Sequence, residues 1–138
     1  MSSATVRTAF RQAVATGFPS VPYFDTIAHE VTQETLPTLW MTLEFAPLSE
    51  TRETIDPPSY WEERGICYVV IANEAGNGDT AAVEFADTVR AYFRNWNAPG
   101  DPNFVVEEVT APTQPDAESE GRWFFVVVGV QYKRGFFE

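Results

Sequence analysis

Seven successive residues, Ile66-Cys67-Tyr68-Val69-Val70-Ile71-Ala72, carry no charge and no strongly polar group. An apolar run without alternation reads as a central strand covered on both faces, so the chain must build a layered sheet around it. This run and the other long apolar stretch, Trp123 to Val130, are too short to span a bilayer. Elsewhere the apolar period changes. Val6, Ala9, Phe10, Ala13 and Val14 recur at helical spacing. They predict a helix over Ala4 to Thr16, started by Ser3 and stopped by Gly17 and Pro19. Ala82, Phe85, Ala86, Val89, Tyr92, Phe93 and Trp96 mark a second helix over Thr80 to Trp96, with Asp79 as its cap.

Leu39, Met41, Leu43 and Phe45 alternate with Trp40, Thr42 and Glu44, the mark of a strand with one buried face. Phe104 to Val109 and Trp123 to Tyr132 read as further strands. Pro22 to Val31 reads as an edge strand or an extended arm. Polar Pro47 to Gly65 and acidic Ala111 to Gly121 read as long loops, and Lys133 to Glu138 as a tail; Tyr60 to Arg64 has the composition to join the strand that follows it. The order helix, strands, helix, strands describes an α+β fold. We expect one domain over residues 1–138: a mostly antiparallel or mixed sheet of four to five strands, with two main helices packed on it. The second helix crosses between two apolar strands, which predicts one parallel or non-neighbour pairing.

Nine Lys and Arg stand against twenty Asp and Glu, a net charge of −11. The summed field repels phosphate, which excludes a basic nucleic-acid-binding patch. Cys67 is the single cysteine and His29 the single histidine, so an internal disulfide, a cysteine zinc cluster and a multi-histidine metal site are all excluded. Met1 to Arg11 lacks the apolar core of a targeting segment. A soluble protein made in a reducing cytoplasm is the expectation.

Gly76-Asn77-Gly78-Asp79-Thr80-Ala81 has the form GxGxxA, with Asp101 about twenty residues on. Glu74 and Asp79 would repel a pyrophosphate there, and Asp101 lies between chain breakers instead of at a strand end. The motif reads as a glycine turn followed by a helix cap. Glu62-Glu63 and Glu107-Glu108 are neighbours on strands, so each pair points to opposite faces and cannot flank one bond. They read as solvated strand edges. Cys67 with His29 has the residue types of a nucleophile and its base. Cys67 within an apolar run packs as a small hydrophobe instead. Trp40 lies on the face opposite Leu39, Met41, Leu43 and Phe45, and Phe136 and Phe137 sit at the end of the chain. For Trp40 either a second layer covers that face or the face meets another subunit, and the two terminal aromatics either form a contact surface or pack back on the sheet. The residues thus describe a binding or assembly module with no catalytic residue, cofactor or metal.

The order of features resembles a known family. Val6-Arg7-Thr8-Ala9-Phe10 lies in the first helix, Phe18-Pro19 leads to Tyr23-Phe24, and Trp40-Met41-Thr42-Leu43 is followed by Arg52-Glu53-Thr54. Gly65-Ile66 opens the apolar strand, Glu74-Ala75-Gly76-Asn77-Gly78 leads to Ala86-Asp87-Thr88-Val89 and Phe93, and the chain closes with Gly121-Arg122-Trp123 and Val130-Gln131-Tyr132. Over nearly its whole length this resembles the small tail terminator proteins of long-tailed bacteriophages. The two long loops depart from the family, so contacts made there do not carry over. The resemblance implies a non-enzymatic virion protein, assembled in the bacterial cytoplasm. It would form a hexameric ring on the head-proximal end of the tail tube, stop tube growth and supply the head-joining surface. Its partners would be copies of itself, the tube protein and a head-completion or connector protein, with no membrane and no cofactor.

DNA would pass through such a ring without specific binding, and an acidic lumen suits that passage. A ring needs a heterologous interface, in which one surface meets a different surface of the neighbour. The candidates are Arg52 and Glu53 on one side, and the arm with Tyr23, Phe24 and His29 or the Trp40 face on the other, with Phe136 and Phe137 as a further contact. Two other readings stay open: another connector or tube component of the same particle, and a small ligand-binding α+β domain. On the ring reading, Arg52→Glu impairs ring assembly, and unchanged native mass in that variant would remove Arg52 from the interface.

Overall fold

Two helices and four strands follow one another as α1 (Ala4–Gly17), β1 (Leu39–Arg52), β2 (Tyr60–Glu74), α2 (Thr80–Arg94), β3 (Phe104–Val109) and β4 (Trp123–Phe137). The computed structural model describes residues 3–24, 37–74, 80–113 and 123–138. His29, the Gly76 to Asp79 turn with its helix cap, and most of Ala111 to Gly121 lie outside the described residues. Among the described residues no helix is long and apolar enough to cross a membrane.

The sheet order is β1-β2-β4-β3, with each neighbouring pair antiparallel. This is an α+β fold. β4 inserts between β2 and β3, so the crossover through α2 joins strands that are not neighbours. That was one of the two expected outcomes. Among the described residues a parallel link occurs only as an isolated bridge between Tyr23 and Met41. It is held by Met41 N donating to Pro22 O at 2.9 Å and Phe24 N donating to Met41 O at 3.0 Å. Residues 22–24 therefore cover the beginning of the β1 edge, and the rest of the Pro22 to Val31 segment lies outside the described residues.

Register sorts the side chains, because directly opposed residues share a face. Met41, Ile71 and Val126 form one row; Leu43, Val69 and Val128 the next; Phe45, Cys67 and Val130 a third. These rows meet Val6, Phe10, Ala13 and Val14 of α1, and Ala82, Ala86, Val89 and Phe93 of α2, in one buried core. Both helices thus cover the same face, giving two layers. Phe10 lies at the centre. Its ring centroid is 5.2–6.1 Å from those of Phe45, Phe93, Trp96, Phe104 and Tyr132. Ser3 caps α1 by accepting from Val6 N at 3.3 Å. Its hydroxyl also donates to Glu63 Oε1 at 2.8 Å, which ties the helix start to β2.

Two glycines are required by close approach. A Cβ on Gly17 would stand 2.8 Å from the Tyr92 ring, where α1 meets α2. One on Gly65 would collide with Tyr132, whose side chain lies across the glycine, and would stand 3.0 Å from Ala46 O.

The structure corrects four expectations. Pro47 to Gly65 is not a loop. β1 runs on to Arg52 and β2 starts at Tyr60, paired from Ser49–Arg64 through Arg52–Trp61 after a bulge at Pro47 to Ser49. The polar sequence reflects a β1 end exposed on both faces and a half-buried β2 start, not irregular backbone. Lys133 to Glu138 is not a tail, because β4 pairs with β2 as far as Tyr60–Phe137. The central strand is not covered equally on both sides. Cys67, Val69 and Ile71 are buried under the helices, whereas Ile66, Tyr68 and Val70 on the other face are half-buried. Glu63 is not solvated: it is buried, with Arg134 Nη1 3.2 Å from its Oε1. Glu62 points to the opposite face and meets Arg64 and Lys133, as strand alternation requires.

Phe10→Ala removes the ring on which both helices and three strands converge. We expect a loss of about 3–5 kcal/mol, measured by urea unfolding.

Candidate functional site

The eight candidate contact residues fall at two poles of β1, His29 aside. Trp40 and Arg52 are twelve residues apart on this strand, which at about 3.3 Å per residue separates them by roughly 40 Å.

At the first pole, Trp40 is buried, not exposed. It lies on the face away from the helices, packed with Ala72 and Trp123 and flanked by Phe24 and Phe125. The Trp40 ring meets Trp123 edge-on at 5.8 Å and Phe24 at 5.9 Å. This small second cluster covers one end of the sheet's outer face. Tyr23, next to Phe24 in sequence, packs instead against the helix-side core, and its hydroxyl accepts from Arg11 Nε at 3.4 Å. The Trp40 indole nitrogen and the Thr42 hydroxyl, both on this face, are buried with no hydrogen-bond partner.

At the second pole, the ends of β1, β2 and β4 continue past the core as a three-stranded arm. Pro47 to Pro58 is exposed at every position. Arg52, Trp61 and Phe136 stand in one row across the arm, and Tyr60 pairs with Phe137 in the next. The Tyr60 and Phe137 rings are 5.0 Å apart, and Tyr60 lies over Gly135, where no side chain fits beneath it. The base of the arm is fixed by charge. Arg134 joins Glu63 to Asp101, whose Oδ2 accepts from its Nε at 3.0 Å, and its guanidinium lies 5.0 Å from the centre of the Phe136 ring. On the opposite face Glu62 sits between Arg64 and Lys133, and Arg64 reaches Glu107 at 3.2 Å.

Arg52 is exposed, and its guanidinium is engaged within the turn. Its Nε donates to Thr54 O and Ser59 Oγ, both at 3.0 Å, and its Nη2 donates to Ile55 O and Ser59 Oγ, both at 2.6 Å. Thr54 Oγ1 accepts from Tyr60 N at 2.7 Å. Arg52 therefore shapes the turn between β1 and β2 from within. Glu53 is exposed beside it, and its backbone N–H donates to Tyr60 O at 2.7 Å. The Pro57–Pro58 peptide in this turn is cis. Sequence reasoning missed Ile55 and Tyr60. Ile55 is 84% exposed at the turn, and an isolated isoleucine between charged residues and prolines was the available signal.

Nothing in this geometry assembles a nucleophile. Cys67 is fully buried beneath the helices, and burial pushes its thiol up, away from the thiolate. Among the described residues, no group of three His, Cys, Asp or Glu is placed to hold a metal ion. An open groove of about 420 Å³ lies between α1 and the segment before β3, lined by Thr5, Thr8, Gln12, Pro99, Asp101 and Phe104 among others. Its one charged residue, Asp101, is already paired with Arg134.

No family model matches the chain, and no curated protein matches it. Sixteen chains of solved structures do match. One has 18% of residues identical and a TM-score of 0.58, covering 100% of this chain and 99% of its own length. That likeness establishes a shared fold in a protein of closely similar length.

Native protein should leave Cys67 unmodified by iodoacetamide at neutral pH, with alkylation appearing only in denaturant. Rapid labelling of the native state, read by intact mass, would show that the strand is not closed over the thiol.

Proposed function

We propose that this chain is a structural assembly protein of a phage-like particle, acting as a ring at the head-proximal end of the tail tube. In this role it ends tube growth and presents the surface that the head joins. The reading rests first on the resemblance between the order of its sequence features and the tail terminator proteins. The observation that carries it in the structure is the three-stranded arm. A sheet normally buries at least one face against another layer, yet the arm carries Tyr60, Trp61, Phe136 and Phe137 outside the buried core. Aromatic side chains held on a paired, rigid scaffold suit contact with another protein.

The separation of the two poles also supports a ring. Closed rings form when one surface of a subunit meets a different surface of the next. Tyr23, Phe24 and the Trp40 cluster lie at one end of β1, with the arm at the other. The acidic charge suits a channel that DNA crosses without being gripped. On this reading the protein acts by shape and contact, with no cofactor. Its partners are copies of itself, the tube protein and a head-completion protein.

Native mass at high protein concentration, with negative-stain imaging, tests the proposal. Six copies of a 15.5 kDa chain make a ring of about 93 kDa. That species, or a ring formed only when purified tube is added, is the expected result. Long filaments of the chain alone would identify a tube subunit instead. A monomer unchanged by tube would overturn the assembly reading.

A further inference from the structure

We propose that the tip of the arm is a peg for an apolar depression rimmed by lysine and arginine on a different protein, not on a second copy of this chain. Backbone pairing brings the tip residues together. Glu53 N donates to Tyr60 O at 2.7 Å, Ser59 N donates to Glu138 O at 3.0 Å, and Glu138 N returns a bond to Ser59 O at 2.9 Å. Tyr60 stands opposite Phe137. Residues 53–60 and 137–138 therefore form one end of the arm. Ile55 is 84% exposed and Phe137 67% exposed, so two of the four exposed large hydrophobic residues among the described ones occur at this end. Apolar side chains displayed together at the end of an element mark a contact surface.

The frame around them is anionic. Glu53, Asp56 and Glu138 are exposed and take part in none of the ion pairs among the described residues. Arg52, the one cation of the turn, is bonded to Thr54 O, Ile55 O and Ser59 Oγ. The tip thus presents apolar side chains within carboxylates, and its complement is an apolar recess within cations. At the tip a second copy fits poorly: it has twenty Asp and Glu against nine Lys and Arg, and like charges set directly opposite one another suppress association. The inference deepens the assembly reading and rests on it in one respect, that the partner is another component of the particle. Contacts between copies then use the Trp40 pole and the side of the arm behind its tip, where Trp61 stands opposite Phe136.

The test uses a defined probe: an amphipathic peptide of about four helical turns with a leucine stripe flanked by lysines. One control replaces the lysines with glutamate, and a second replaces the leucines with serine. Each is titrated into the isotopically labelled full chain at physiological ionic strength, and amide shifts are followed. Expected are saturable shifts with the leucine–lysine peptide alone, confined to residues 52–61 and 136–138. Ile55→Asp should weaken binding about tenfold, a loss near 1.4 kcal/mol. The combined Glu53→Gln, Asp56→Asn and Glu138→Gln variant should weaken it and flatten its salt dependence, with native mass unchanged in both variants.

Equal binding of either control peptide, or shifts spread over the acidic surface, would overturn the inference. So would Ile55→Asp reducing the native mass while the variant stays folded, because the tip would then be a contact between copies. That last result leaves the ring reading standing. Conversely, a parent chain that binds the peptide at the tip but never forms a ring, with or without tube, removes the ring reading alone.

Discussion

The packing around Phe10 is the contact on which the arrangement depends. One ring from α1 lies against Phe45 of β1, Phe93 of α2, Phe104 of β3 and Tyr132 of β4. Tilted and edge-on pairs at these spacings add attraction beyond the area they bury. The Tyr132 ring can lie there only because Gly65 has no side chain beneath it. With that node in place, α1 is held over the sheet and its first turn reaches β2, where Ser3 meets Glu63.

The Glu63 contact joins the core to the arm. Glu63 receives Ser3 from the helix and Arg134 from β4, and Arg134 continues to Asp101 and Phe136. A buried carboxylate is tolerated when it is paired and hydrogen-bonded. Here the pairing sits where the helix layer begins. Beyond it, the three strands retain backbone pairing and cross-strand aromatic contacts without a second layer. The arm is therefore anchored at one end by packing and charge, and displays its other end.

The contrast between the two poles has the same origin. At the Trp40 pole, aromatic residues on the outer face find one another and form a small cluster. At the arm, Ile55 and Phe137 find no such cover and remain exposed. The hydroxyl and guanidinium chemistry of Ser59 and Arg52 instead fixes the backbone that carries Ile55. Arg52, an exposed candidate contact residue, also braces the turn, so Arg52→Glu acts on the shape of the tip as well as on its charge.

Both helices and the apolar parts of the four strands were legible from the local apolar pattern, because burial on one face imposes a repeat of two on strands and about 3.6 on helices, while a mostly antiparallel or mixed sheet followed from the order of the elements. The Ser3 cap and the burial of Cys67 were legible for similarly local reasons. The arm was not. The β1 end is exposed on both faces, so its side chains carry no alternation and Pro47 to Gly65 reads as a loop. The pairing of β4 with β2 out to Phe137 leaves no local trace, since it joins residues far apart in the chain. Local apolar pattern marks the core residues and the elements that carry them. What stands outside the core emerges only in the folded chain, because exposed contacts are set by register and distant partners.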